Sequence, residues 1–169
     1  MKTIRHLAIV LGAVAVTAAA ALAYVSLGTK ALAPDVAYTR LDGSAARTSD
    51  LKGKVVLVNF WATSCTTCVK EMPQIVATHN KYRGAAFDTL AVAMSYDPPA
   101  YVVNFAKSRE LPFTVVIDNL GEMARQFGDV QLTPTTVLIN KRGEIVKRYV
   151  GEPDFAALHA LIDQLIAEA

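Results

Sequence analysis

The hydrophobic pattern divides the chain in two. Leu7 to Leu27, LAIVLGAVAVTAAAALAYVSL, is a run of 21 residues without a charged side chain. As a helix rising ~1.5 Å per residue it would span roughly 30 Å, the thickness of a bilayer core. From about Val36 the pattern becomes short apolar blocks separated by polar turns. VAYTRL predicts a strand closed by Asp42-Gly43-Ser44. Val55 to Phe60 is apolar except for Asn59, which predicts a strand buried on both faces. Residues 65–82 have helical spacing, with Cys68, Met72, Ile75, Val76 and His79 on one stripe. Pro73 interrupts this helix, and a kink is expected there. FDTLAVAMS predicts a second buried strand, and PPAYVVNFAKSREL a helix with prolines at its start. FTVVID is strand-like, and NLGEMARQFG is a short helix ending at Gly128. Two apolar runs around Lys141-Arg142-Gly143 predict a hairpin. The chain closes on an amphipathic helix from about Pro153. Alternating strands and helices predict an α/β fold, a mixed sheet covered on both faces with an antiparallel edge from the last hairpin.

The expected organisation is an N-terminal membrane anchor over residues 1–29, a linker over 30–35 and one domain over 36–169. Hydrophobic residues make up 53% of the chain and mean hydropathy is +0.31, an excess concentrated in the first segment. Lys2 and Arg5 precede the apolar run, which favours an N-terminus inside and the body outside. A cleaved signal peptide is the alternative, with candidate sites at Ala21-Leu22-Ala23 and Ala31-Leu32-Ala33. Signal peptides have apolar cores of about 7–15 residues, so the longer run here favours an anchor. No cysteine lies in or just after the run, which excludes lipoprotein attachment. Either reading places the body in an exported, disulfide-permitting compartment. A net charge of +2 gives no electrostatic case for nucleic acid.

The chemistry is concentrated in WATSCTTCVKEMP, Trp61 to Pro73, which holds both cysteines of the chain, Cys65 and Cys68. A disulfide that closes so short a loop constrains the unfolded chain little, so the pair points to reactivity rather than stapling. A strand enters and a helix leaves at Cys65. Unpaired N–H groups and the helix dipole there stabilise a thiolate. Cys65 is expected on the solvent side as the attacking thiol, and Cys68 one turn deeper as the resolving thiol. Zinc would need two further ligands, and no other cysteine exists. Covalent haem attachment needs a His after the second cysteine, where Val69 stands. No metal and no cofactor is expected. Two alternatives remain. One is a peroxiredoxin-like thiol peroxidase, against which Ala62, Thr63 and Ser64 precede Cys65. The other is a Cu(I)-binding chaperone module, since soft thiolates suit Cu(I).

VNFWATSCTTCVKEMP followed by LTPTTVLIN resembles the thioredoxin superfamily, and more narrowly the membrane-anchored TlpA/ResA type of exported thiol–disulfide oxidoreductase. The resemblance covers the body from about Pro34 to the C-terminus. It implies a thioredoxin-like fold with one additional βα unit between Cys68 and Pro134. It places Cys65 and Cys68 on the redox pair, Trp61 on the Trp of the lead-in and Pro73 on the helix-kinking proline. Pro134, after Thr133, falls on the proline that is cis in the family. Trp61, Thr133 and Pro134 are expected near the substrate, with Thr133 offering backbone for pairing with a bound peptide. Asn59 stands where minimal thioredoxins carry a buried, titratable Asp. Glu71 instead matches an acid of the TlpA/ResA branch. It lies about 60° from Cys68 on a helical wheel and is expected to relay protons or tune the thiols. A membrane thiol transporter is implied as electron donor. The implied clients are exported proteins with disulfides, such as apocytochrome c or copper-centre assembly factors. The resemblance also implies a bacterial inner-membrane location, with a monomer expected.

Overall fold

The structure is a computed structural model and describes residues 30–84 and 86–168. The chain divides between Ala31 and Leu32, and every element below belongs to the unit Leu32–Ala169. The expected anchor, Leu7–Leu27, lies outside the described residues. Among the described residues no helix is long and apolar enough to cross a membrane.

The apolar block after Lys54 becomes β3 (Val55–Trp61), and all seven of its residues are buried. It is the centre of a five-stranded sheet. Its neighbours are β4 (Phe87–Ala93), parallel to it, and β6 (Thr135–Ile139), antiparallel. Outside these lie β5 (Thr114–Ile117), parallel to β4, and β7 (Ile145–Val150), antiparallel to β6. The order is therefore β5-β4-β3-β6-β7. Among the described residues three α-helices connect strands: α1 (Thr66–Tyr82), α2 (Pro99–Ser108) and α3 (Glu122–Gln126). A fourth, α4 (Phe155–Ala167), follows β7, and a short 3-10 helix spans Thr48–Leu51. The α2–β5 pair sits between β4 and β6 and accounts for the long stretch between Cys68 and Pro134.

Side chains of β3 alternate between two cores, as a pleated strand requires. Leu57 and Trp61 face the core built with Met72 and Ile75 of α1, Val102 of α2, and Leu158 and Ile162 of α4. Val56, Val58 and Phe60 face the other side, against Met123 and Ala124 of α3, Phe127, and residues of an N-terminal hairpin. That hairpin pairs β1 (Ala37–Thr39) with β2 (Ala45–Arg47). Helices lie on both faces, α3 and the 3-10 helix Thr48–Leu51 covering the second face together with the hairpin. Gly128, with φ +87, takes the left-handed conformation just past α3, where the sequence predicts its end. Helix α1 runs unbroken through Pro73.

Residues 32–35, expected as linker, are held against the body. Ala33 N–H donates to the Gly143 carbonyl at 2.8 Å, Leu32 bridges Glu144, and Asp35 pairs with Arg47 at 2.9 Å. The two outer strands are treated differently. Beside β5, Arg40 of the hairpin forms a bridge to Val116. β7 carries exposed Lys147 and Arg148, and its pairing with β6 shifts register at Leu138/Ile139.

Leu57 is fully buried at the middle of the central strand. Leu57→Ala should therefore lower unfolding free energy by about 2–5 kcal/mol in urea titration. Leu120→Ala, at a position 85% exposed, should change it by less than about 0.5 kcal/mol.

Candidate active site

Strand β3 ends at Trp61, and four residues later α1 begins. The turn between them is fixed from below. Asp97, buried just past the carboxyl end of β4, accepts hydrogen bonds from the N–H and the hydroxyl of Thr63, both at 2.5 Å. Cys65 N–H donates to the Ala62 carbonyl at 3.2 Å. The chain thus reaches Cys65 in a held conformation, and Cys65 becomes the N-cap of α1.

Cys65 and Cys68 are joined in a disulfide with Cα atoms 5.2 Å apart. Cys65 Sγ accepts the N–H of Cys68 at 3.2 Å. That donor is one of the unpaired N–H groups of the first helical turn, and it would equally stabilise a thiolate at Cys65 in the reduced protein. Cys65 is partly exposed, whereas Cys68 is fully buried. The Thr133–Pro134 peptide is cis. The Thr133 carbonyl oxygen lies 3.6 Å from Cys65 Sγ. The Pro134 carbonyl accepts from Gly151 N–H at 2.8 Å, which ties this loop to the end of β7.

Glu71 is on the same buried face of α1 as Cys68, with Met72 and Ile75 close by in sequence. Its carboxyl is fully buried. Asn59 Nδ2 donates to Glu71 Oε1 at 3.0 Å and to Thr136 Oγ1 at 3.0 Å, the latter across the β3–β6 pair. Asn59 Oδ1 and Glu71 Oε2 have no partner among the described residues. A buried carboxyl with one unmatched oxygen favours its neutral form. Burial pushes the Glu71 pKa from 4.5 to about 7, against a smaller lowering from the Asn59 bond.

Trp61 is fully buried at the end of β3, packed on Phe105 of α2 with ring centroids 5.0 Å apart. Pro73 lies on the exposed side of α1. His79 and His159 pair with hydroxyls: His79 Nδ1 with Thr89 Oγ1 at 3.1 Å and His159 Nε2 with Thr78 Oγ1 at 2.9 Å. Burial lowers both histidine pKa values.

Two residues that sequence reasoning passed over belong to the site. Asp97-Pro98-Pro99 reads as a loop and helix start, yet Asp97 holds the turn before Cys65. Its neighbour Tyr96 places its hydroxyl 3.1 Å from Thr133 Oγ1. The available signal was position. The carboxyl ends of parallel strands are where open α/β sheets assemble their functional groups.

Comparison with known proteins agrees with this geometry. The chain is 38% identical over 120 residues to the thiol-disulfide oxidoreductase ResA of Bacillus thuringiensis subsp. konkukian, covering 71% of this chain and 68% of that one. A Neisseria meningitidis protein described as a thioredoxin superposes with TM-score 0.73 at 47% identity, covering 79% of this chain and 88% of the other. A Chlorobium tepidum protein described as the thiol:disulfide interchange protein DsbE gives TM-score 0.75 at 29% identity, over 82% of this chain and 97% of that one. The Redoxin family model matches residues 27–162. With its thioredoxin-like fold and its Cys65–Cys68 pair at the head of α1, this chain belongs to the Redoxin family.

Proposed function

We propose that this thiol–disulfide oxidoreductase works in the reducing direction, on disulfides of exported client proteins. The observation that carries the reducing direction is the dipeptide Thr66-Thr67 between the cysteines, which holds no His or cation to stabilise a Cys65 thiolate strongly. The roles of the pair follow from its asymmetry, Cys65 being partly exposed at the helix N-terminus and Cys68 fully buried one turn in. In the reduced protein the Cys65 thiolate attacks a client disulfide. A Cys65–client bond forms and one client thiolate leaves, taking up a proton. Cys68 then loses its proton and attacks Cys65 Sγ. The Cys65–Cys68 disulfide forms and the second client thiol is released. Two electrons pass to the client, and a dithiol donor must return them. A membrane thiol transporter is the proposed donor, and apocytochrome c or copper-centre assembly factors are the proposed clients. The Thr133 backbone is the proposed pairing edge for the client strand, with Pro134 beside it.

Glu71 is proposed to take the Cys68 proton in the second step. A pKa of about 7 suits it to exchange protons near neutrality. The same value has a consequence for stability. Between pH 4.5 and about 7 the folded protein holds the Glu71 proton and the unfolded chain releases it. Stability contributed by the neutral carboxyl is therefore lost as pH rises through that window. At ~1.36 kcal/mol per unit the loss is about 3 kcal/mol. Glu71→Gln should remove this slope and unfold at higher urea than the wild type at pH 8, with the difference vanishing below pH 4.5. Parallel urea midpoints from pH 4 to 8 would refute the buried proton.

The roles of the two cysteines are separated by trapping. Cys68→Ser leaves the mixed disulfide unresolved, so cells carrying it should accumulate reductant-sensitive, higher-mass bands containing Cys65 bound to exported proteins. Cys65→Ser should give few or none. Equal trapping by both variants would reverse the assignment, and peroxide consumption without trapping would favour a thiol peroxidase.

Residues 7–27 are proposed to anchor the body on the outer face of a bacterial inner membrane. The length of the uncharged run and the basic residues before it support this. The full-length protein should remain with membranes after alkaline extraction, and its body should be digested by protease added to spheroplasts. A soluble, shortened mature form would show a cleaved signal peptide instead.

A further inference from the structure

We propose that Tyr96 is a client-recognition residue, and that its hydroxyl bond to Thr133 shapes the edge on which a client strand lies. The inference rests on the reductase reading and adds a substrate class to it: extended polypeptides with an apolar or aromatic residue beside the attacked cysteine.

The argument begins with the loop that joins β4 to α2. Two consecutive residues there contact two different segments beside the disulfide. Asp97 holds Thr63, two positions before Cys65. Tyr96 turns the other way and meets Thr133 Oγ1 at 3.1 Å, on the residue whose carbonyl oxygen is 3.6 Å from Cys65 Sγ. The loop leading into the inserted α2–β5 unit therefore carries a residue bonded to Thr133, the residue whose carbonyl lies against the reacting sulfur.

The surroundings of Thr133 suit an extended peptide. Among the described residues neither its N–H nor its carbonyl pairs with another backbone group. On one side Tyr96 is 57% exposed, and the adjacent Leu132 is 65% exposed. An open stretch of main chain flanked by exposed apolar side chains is how extended peptides are bound: backbone bonds give affinity and flanking side chains give specificity. A tyrosine supplies a large amphipathic contact at low entropy cost, because it has few rotatable bonds. Its hydroxyl bond limits both the ring and the Thr133 side chain before a client arrives, which reduces the ordering left for binding. An acidic client residue against this ring would lose water and meet the negative face of the π-system without gaining a partner.

The test is steady-state reduction of insulin disulfides by the full-length chain in mild detergent, with dithiothreitol as reductant. Tyr96→Phe should raise the KM for insulin about threefold and Tyr96→Ala about tenfold or more, each with kcat retained. Thr133→Val should raise KM as Tyr96→Phe does, and the double variant should be no worse than either, because both remove one bond. Tyr101→Phe, on the exposed side of α2, should change neither constant. With synthetic disulfide peptides carrying Leu or Asp next to the cysteine, the wild type should favour the Leu peptide and Tyr96→Ala should level the two. An unchanged insulin KM in both Tyr96 variants of a chain that turns insulin over would overturn the role of Tyr96 and leave the reductase reading standing. A fall in kcat at unchanged KM would make Tyr96 a structural residue and overturn it equally. No turnover by the wild type would overturn the reductase reading, and this inference with it.

Discussion

A strand with no solvent face can satisfy its polar groups only inside the protein. β3 is such a strand, and the site hangs from its carboxyl end. Its main chain is paired on both sides, parallel to β4 and antiparallel to β6. Its one polar side chain, Asn59, must find partners within the core. It finds Thr136 on the neighbouring strand and Glu71 on the helix above. The strand that gives the sheet its rigidity also fixes the position of the buried acid. The turn leaving it, braced by Asp97, sets where the first cysteine meets the helix N-terminus.

This arrangement separates two kinds of charge control. Cys65 is served by backbone N–H groups of the helix start, which act whatever the pH. Glu71 is served by a neutral amide that cannot titrate, so its protonation answers chiefly to burial, with smaller opposing effects from the Asn59 bond and the Glu152 charge. A second carboxyl at position 59 would couple the two titrations and split the proton between them. Asn59 keeps Glu71 a single-proton group, which suits it to respond to the charge state of nearby sulfur.

Much of this was readable in the residues. The uninterrupted run Val55–Phe60 marked the central strand because burial on both faces removes the need for alternation. The stripe Cys68, Met72, Ile75, Val76 and His79 marked the inner face of α1 because helical spacing was kept across Pro73. Glu71 at the edge of that stripe was visible by angle, but its burial was not, since Lys70 beside it reads as solvated surface. The cis peptide at Pro134 was accessible only through resemblance, because X–Pro bonds in general favour trans. β2 escaped because Ala-Ala-Arg has little strand preference and is held by pairing with β1 rather than by its own pattern. Tyr96 and Asp97 escaped for a related reason. Their roles depend on which distant loops the sheet brings beside them, and no local spacing encodes that.

The borders of the sheet bear on how this protein coexists with unfolded chains and with its own copies. An open sheet with two outer strands risks pairing strand to strand with a second copy. At one border the hairpin bridges β5 through Arg40 and Val116. At the other, β7 presents Lys147 and Arg148 and loses regular register partway along. Cationic side chains and a broken register both discourage a second copy from adding its own edge. At high local density these borders would disfavour oligomerisation by sheet extension and leave the two outer strands without a partner from a second copy.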